Sequence, residues 1–225
     1  MKFIKKHIKI IVLIIVCLLI YLIYYGIGNK NITYITLGDG YSIGINPYGS
    51  KNYGYNDYLR NYLKENNRLF KYYMDYSYSD AMIKDIYKDI LLNESDEKEN
   101  IKRALRSSNL LTLSIGLNDL IYRISINDKY SEDEIINDII MDLDKLIDEI
   151  KKYYKGKVYL IGYYDCSNIP VKKLNLKYKE YSKNNNIVFI NPKNNNYCDN
   201  PNSNYPNIIG YKNIYNKLLN VIDLY

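Results

Sequence analysis

Two hydrophobic patterns alternate along the chain: short continuous apolar runs and longer stretches with helical spacing. Residues 32–37, 110–115, 157–161 and 187–190 are apolar runs rich in β-branched residues, closed by Gly38, Gly116, Gly162 and Asn191-Pro192. Runs of this length bounded by turn residues read as buried strands. A further strand is expected over 70–74. Between them the spacing predicts helices over 55–65, 80–92, 96–106, 132–154, 172–183 and 210–222. In 132–154, Ile135, Ile136, Ile139, Ile140, Leu143, Leu146, Ile147 and Ile150 fall on one helical face, a core pattern. Ser79-Asp80 and Ser131-Glu132-Asp133-Glu134 offer the hydroxyl and early carboxylates that satisfy free N–H groups at a helix start. Strands alternating with helices imply an α/β fold with a parallel sheet covered on both faces.

The N-terminus departs from this alternation. Lys2, Lys5, Lys6 and Lys9 precede a stretch over 10–29 without a charged residue, long enough to cross a bilayer core. The lysine bias orients residues 1–9 to the cytoplasm and places 30–225 outside, so a single-pass signal anchor and an extracytoplasmic domain are expected. A cleaved signal peptide ending at Gly26-Ile27-Gly28 is the competing reading, disfavoured by the length of the apolar run. Cys17 follows bulky Val16 inside that run and lacks the setting of a lipidated cysteine.

The remaining length fits one domain. The formal charge of +6 is concentrated at the N-terminus; without its four lysines 27 basic residues face 25 acidic ones, which leaves no nucleic-acid footprint. The 29 tyrosines and absent tryptophan accompany abundant Asn, Lys and Ile and reflect compositional bias. The asparagine-rich stretch 184–207, broken by Pro192, Pro201 and Pro206, should be mostly loop.

In a parallel sheet, ligands gather beyond the carboxyl ends of the strands. That places interest on Asp39-Gly40, on Gly116 to Asp119, on residues 163–168 and on the loop after Ile190. Three segments, in order, resemble the SGNH or GDSL hydrolase family: Gly38-Asp39-Gly40-Tyr41-Ser42, Gly116-Leu117-Asn118-Asp119, and Asn202-Ser203-Asn204-Tyr205-Pro206-Asn207 leading to Gly210-Tyr211. The resemblance implies a three-layer α/β/α, flavodoxin-like, mostly parallel sheet over 30–225. It also implies ester hydrolysis by a serine in the first motif and an aspartate and histidine in the last, with an oxyanion hole completed by the asparagine of the middle motif.

Here those three positions hold Gly40, Asn202 and Tyr205. Glycine carries no nucleophile, an amide cannot stabilise an imidazolium, and neutral tyrosine is a poor base near neutral pH. The only histidine, His7, precedes the expected span. Asn118 remains, but no glycine occurs between Gly54 and Gly116, where the second oxyanion-hole motif should fall near 75–80. Asp39, Ser42, Gly116 and Asp119 are the further binding candidates. Asp39 and the Asn118-Asp119 pair read equally as turn or helix caps. Ser42 lacks an adjacent base. Cys198 lacks a partner to lower its pKa, so a disulfide to Cys166 or a buried thiol is the better reading. No ligand spacing suggests a metal, and no cofactor is expected.

Three readings follow. The first is a membrane-anchored pseudoenzyme that binds an acylated or carbohydrate envelope ligand, or a protein partner, without cleaving it. The second is an active esterase with relocated chemistry, using Ser42. The third is a structural envelope protein sharing only the fold.

Overall fold

The computed structural model describes residues 2–28, 31–92, 100–126, 129–193 and 197–222, with side chains at all of these except 2–6, 24–28 and 184. In chain order the elements are α1 (Lys2–Gly28), β1 (Ile32–Gly38), α2 (Gly40–Ile43), α3 (Tyr55–Glu65), β2 (Leu69–Tyr73), α4 (Ile83–Leu92), α5 (Ile101–Ser107), β3 (Leu110–Ser114), α6 (Leu117–Ser125), α7 (Glu132–Tyr153), β4 (Val158–Ile161), α8 (Val171–Asn184), β5 (Ile187–Ile190) and α9 (Ile208–Leu219). All strand pairs are parallel, in the order β2-β1-β3-β4-β5.

The three inner strands are buried throughout and the edge strands β2 and β5 only in part. Burial on both faces explains the continuous apolar runs: neither side of β1, β3 or β4 meets water. Polar residues inside the sheet satisfy one another. Tyr34 Oη lies 2.8 Å from Thr112 Oγ1, which donates to Thr36 Oγ1 at 3.3 Å. The helices form two groups, α3 with α9 and α7 with α4, α5, α6 and α8, one for each face of the sheet. The arrangement is a three-layer α/β/α sandwich.

The expected core stripe of α7 is buried at every position except Ile140, which is half-buried. Its start is a capping box: Ser131 N–H donates to Glu134 Oε2 at 2.8 Å, and Ser131 Oγ accepts from Glu134 N–H at 3.3 Å. Helix α4 begins at Ile83 rather than residue 80. Met82 N–H, just before it, donates to Asp85, and the first helical N–H, of Ile83, donates to Asp119 in α6, a partner that the local sequence pattern does not show. The helix expected from 96 is α5, capped by Asn100; residues 96–99 lie outside the described residues.

The transmembrane helix expected over 10–29 requires correction. Among the described residues, no helix is long and apolar enough to cross a membrane.

Candidate functional site

The carboxyl ends of β1 and β3 approach so closely that only glycine fits at the end of β1. A β-carbon on Gly38, which has φ +125°, would lie 1.8 Å from the Ser114 carbonyl oxygen. This approach sets Asp39 at the centre of the sheet's upper edge, 1% exposed, with its N–H donating to Ser114 O at 2.7 Å. Asp39 caps α2 by accepting Tyr41 N–H at 3.1 Å. Its carboxylate also accepts Ser114 Oγ–H at 2.8 Å and Tyr163 Oη–H at 2.6 Å. Burial raises its pKa to about 7, and the hydrogen bonds from Tyr163, Ser114 and the Tyr41 N–H oppose that rise.

Gly40 follows directly and opens α2. A β-carbon here would stand 2.6 Å from both Cε1 and Oη of Tyr205. The Tyr205 ring therefore fills the space into which a side chain at position 40 would project. It packs against Tyr41, with centroids 5.8 Å apart, and Tyr41 in turn meets Tyr163 and Tyr211 edge-on. Burial, followed by the charges of Asp39 and Asp80, raises the Tyr205 pKa, so the phenol stays protonated near neutral pH. It is no base.

Asn118 sits in the first turn of α6, where Gly116 (φ +111°) permits the sharp strand-to-helix turn and lies against the Tyr178 hydroxyl. Its Nδ2 donates to Ser79 O and to Ala81 O, each at 3.0 Å. Tyr205 Oη–H also reaches Ser79 O, at 3.5 Å. The segment where a second glycine donor was expected thus presents a carbonyl oxygen. An acceptor there opposes a developing oxyanion, and it engages the asparagine amide that would otherwise donate to one.

The remaining candidates occupy supporting positions. Ser42 is fully buried; its hydroxyl donates to Leu37 O at 2.7 Å and lies 3.3 Å from Tyr55 Oη. Asp119 accepts Ile83 N–H at 3.1 Å, and burial raises its pKa to about 6. Asn202 is exposed, its N–H donating to Asn200 Oδ1 at 3.0 Å. Cys166 and Cys198 form a disulfide that ties the loop after β4 to the segment carrying Tyr205. Gly40, Asn118 and Tyr205 therefore meet around one locus through Ser79, with Asp39 beneath.

Ser114, Tyr41, Tyr163 and Tyr211 build the wall of this locus; the motifs and the loop 163–168 include the three tyrosines without giving them a role, and Ser114 is not singled out. Tyr41 Oη–H donates to Asn204 O at 2.9 Å and its oxygen accepts Tyr164 N–H at 3.0 Å, fastening two loops. Tyr163 Oη also accepts Leu117 N–H at 3.3 Å, linking the β3 and β4 loops through Asp39. Among 29 tyrosines nothing in the sequence sets Tyr41, Tyr163 and Tyr211 apart, and Ser114 is one polar residue in an apolar run. Among the described residues no cluster of three or more His, Cys, Asp or Glu side chains suits a metal ion.

No protein-family model and no curated protein matches the chain. Solved structures do. Axe2, an acetylxylan esterase from Geobacillus stearothermophilus, superposes with a TM-score of 0.62 at 14% identity, covering 87% of this chain and 98% of that one. The lipase Lip_vut3 from a goat rumen metagenome gives 0.63 at 17% identity, covering 83% and 95%. A member of the lipolytic G-D-S-L family from Veillonella parvula DSM 2008 gives 0.57 at 16%, covering 84% and 97%. At these identities the likeness is one of fold, and the fold is that of the SGNH/GDSL hydrolases.

Proposed function

We propose that this chain is a pseudoenzyme on the hydrolase fold, one that binds an acylated carbohydrate without cleaving it. The observation that carries the reading is the Tyr205 ring in the space a nucleophile at position 40 would need. The Ser79 carbonyl, which takes up the Asn118 amide in the segment where the resemblance calls for an oxyanion donor, supports it. The ligand class is suggested by the fold similarity to Axe2, an acetylxylan esterase.

The relocated-nucleophile reading is weaker. Ser42 is buried with its proton committed to Leu37 O, and no histidine lies in the sheet-bearing part of the chain. The Cys166–Cys198 disulfide supports residence of the domain in an oxidising compartment, consistent with the cell envelope.

The test is to incubate the full chain with a fluorophosphonate that traps activated serines, and separately with acetylated xylooligosaccharide. No labelling and no acetate release above the buffer rate are expected, with saturable quenching of tyrosine fluorescence by the oligosaccharide. Labelling that disappears on Ser42→Ala overturns the reading in favour of an active esterase. Absence of any saturable binding overturns the ligand assignment.

A further inference from the structure

Beside the altered site, helix α8 and the loop that follows β5 enclose two adjoining cavities. The first, about 350 Å³, is lined by Tyr163, Asp165, Lys172, Asn175, Leu176 and the loop residues Asn191 to Lys193. The second, about 320 Å³, is lined by Lys179, Ser182, Lys183, Phe189, Asn191 and Lys193. They share Asn191 and Lys193. The α8 contributors recur at 172, 175, 176, 179, 182 and 183, the spacing of one helical face, so the two cavities are successive parts of one groove along that helix.

Its charge is one-sided. Among the described residues Asp165 is the only acid lining either cavity, and Lys172 neutralises it at 2.7 Å. Lys179, Lys183 and Lys193 have no carboxylate partner among the described residues. A further lysine, Lys217, donates to the rim carbonyl of Asn191 at 2.7 Å; burial first, and then the charge of Lys193, lowers its pKa. Lys172 and Lys183 are separated along α8 by about 16 Å at ~1.5 Å per residue. The groove thus runs about 16 Å, longer than a single phosphate fills, and the lysines without a carboxylate partner, Lys179, Lys183 and Lys193, all line its second cavity.

We infer that this groove binds a linear polyanion of repeated phosphate groups, laid along α8 and held by Lys179, Lys183 and Lys193. The lining favours phosphate over a nucleic acid. Its aromatic side chains offer no stacking platform: Tyr163 is buried with its hydroxyl on Asp39, and Phe189 packs against Gly162 and Tyr178. The inference is independent of whether the neighbouring site has lost hydrolysis.

The experiment is a binding titration of the full chain with long-chain inorganic polyphosphate, read by calorimetry at low and high salt. Binding should weaken as salt rises, and orthophosphate at equal total phosphate should bind at least about tenfold more weakly. Lys179→Ala/Lys183→Ala/Lys193→Ala should lose about tenfold or more. Lys51→Ala/Lys64→Ala/Lys88→Ala, which removes equal charge from other elements, should change affinity by less than about twofold. All six lysines are exposed, so the variants should match the parent in thermal melting. Equal losses in the two triple variants, or tighter binding of a single-stranded oligonucleotide than of polyphosphate, overturn the inference.

Discussion

The ring of Tyr205 and the α-carbon of Gly40 are complementary: a single added carbon at position 40 would stand 2.6 Å from the tyrosine hydroxyl. Carbon and oxygen do not approach so closely without one of them moving. The pair should therefore be energetically coupled. Gly40→Ala is expected to destabilise the fold by about 1–3 kcal/mol, the usual cost of overpacking. In a Tyr205→Ala background the same change should cost at least about 1 kcal/mol less. Urea denaturation of the four proteins measures this, and simple additivity would show that Tyr205 does not occupy the space.

Asp39 makes stability depend on pH in an unusual direction. Its folded pKa of about 7 lies above the ordinary value of 3.8, so between these limits the folded state holds a proton that the unfolded state has released. Stability from this group is fully present below about pH 4, declines as pH rises towards 7, and changes no further above. Asp119, raised to about 6, acts in the same sense. Thermal melting should give a higher Tm at pH 5 than at pH 8. Asp39→Asn, which keeps an acceptor for the Tyr41 N–H, should flatten that difference; an unchanged slope would count against the assignment.

Tyr163→Phe removes one of three donors to the Asp39 carboxylate. A hydrogen bond to a charged group contributes about 1.5–3 kcal/mol, more than a neutral one. The variant should therefore lose more stability at pH 8, where Asp39 is ionised, than at pH 5. Equal losses at both pH values would mean that Tyr163 acts only through packing.

Reduction of the Cys166–Cys198 disulfide should cost about 3–4 kcal/mol, as expected from closure of a loop with a sequence separation of 32. Because that bridge anchors the segment bearing Tyr205, the loss in Cys166→Ala/Cys198→Ala should be accompanied by faster amide exchange at 203–207. Unaltered exchange there would separate the disulfide from the placement of the ring.

Much of the sandwich could be read from the chain because parallel strands buried on both faces leave uninterrupted apolar runs, and α7 carries both its core stripe and its capping box in local sequence. The end of α4 nearest the site could not be read: Asp119, thirty-six positions away, caps Ile83. The positions of Gly40, Asn118 and Tyr205 were legible as motif positions, but the Ser79 carbonyl was not, because any residue carries one and only the backbone path aims it. The uncharged N-terminal stretch reads as a membrane span from its length, whereas among the described residues no helix is long and apolar enough to cross a membrane.

In the proposed reading Gly40, Asn202 and Tyr205 stand at the positions of a catalytic triad and leave a filled, non-hydrolytic cleft. Short-chain ester turnover tests it most directly, with the full chain measured beside Gly40→Ser/Asn202→Asp/Tyr205→His. Background hydrolysis is expected of the unmodified chain and a measurable gain of the triple variant, in which the smaller histidine vacates part of the ring's space and supplies a base. Ester turnover by the unmodified chain well above background, undiminished or faster than in the triple variant, would contradict it.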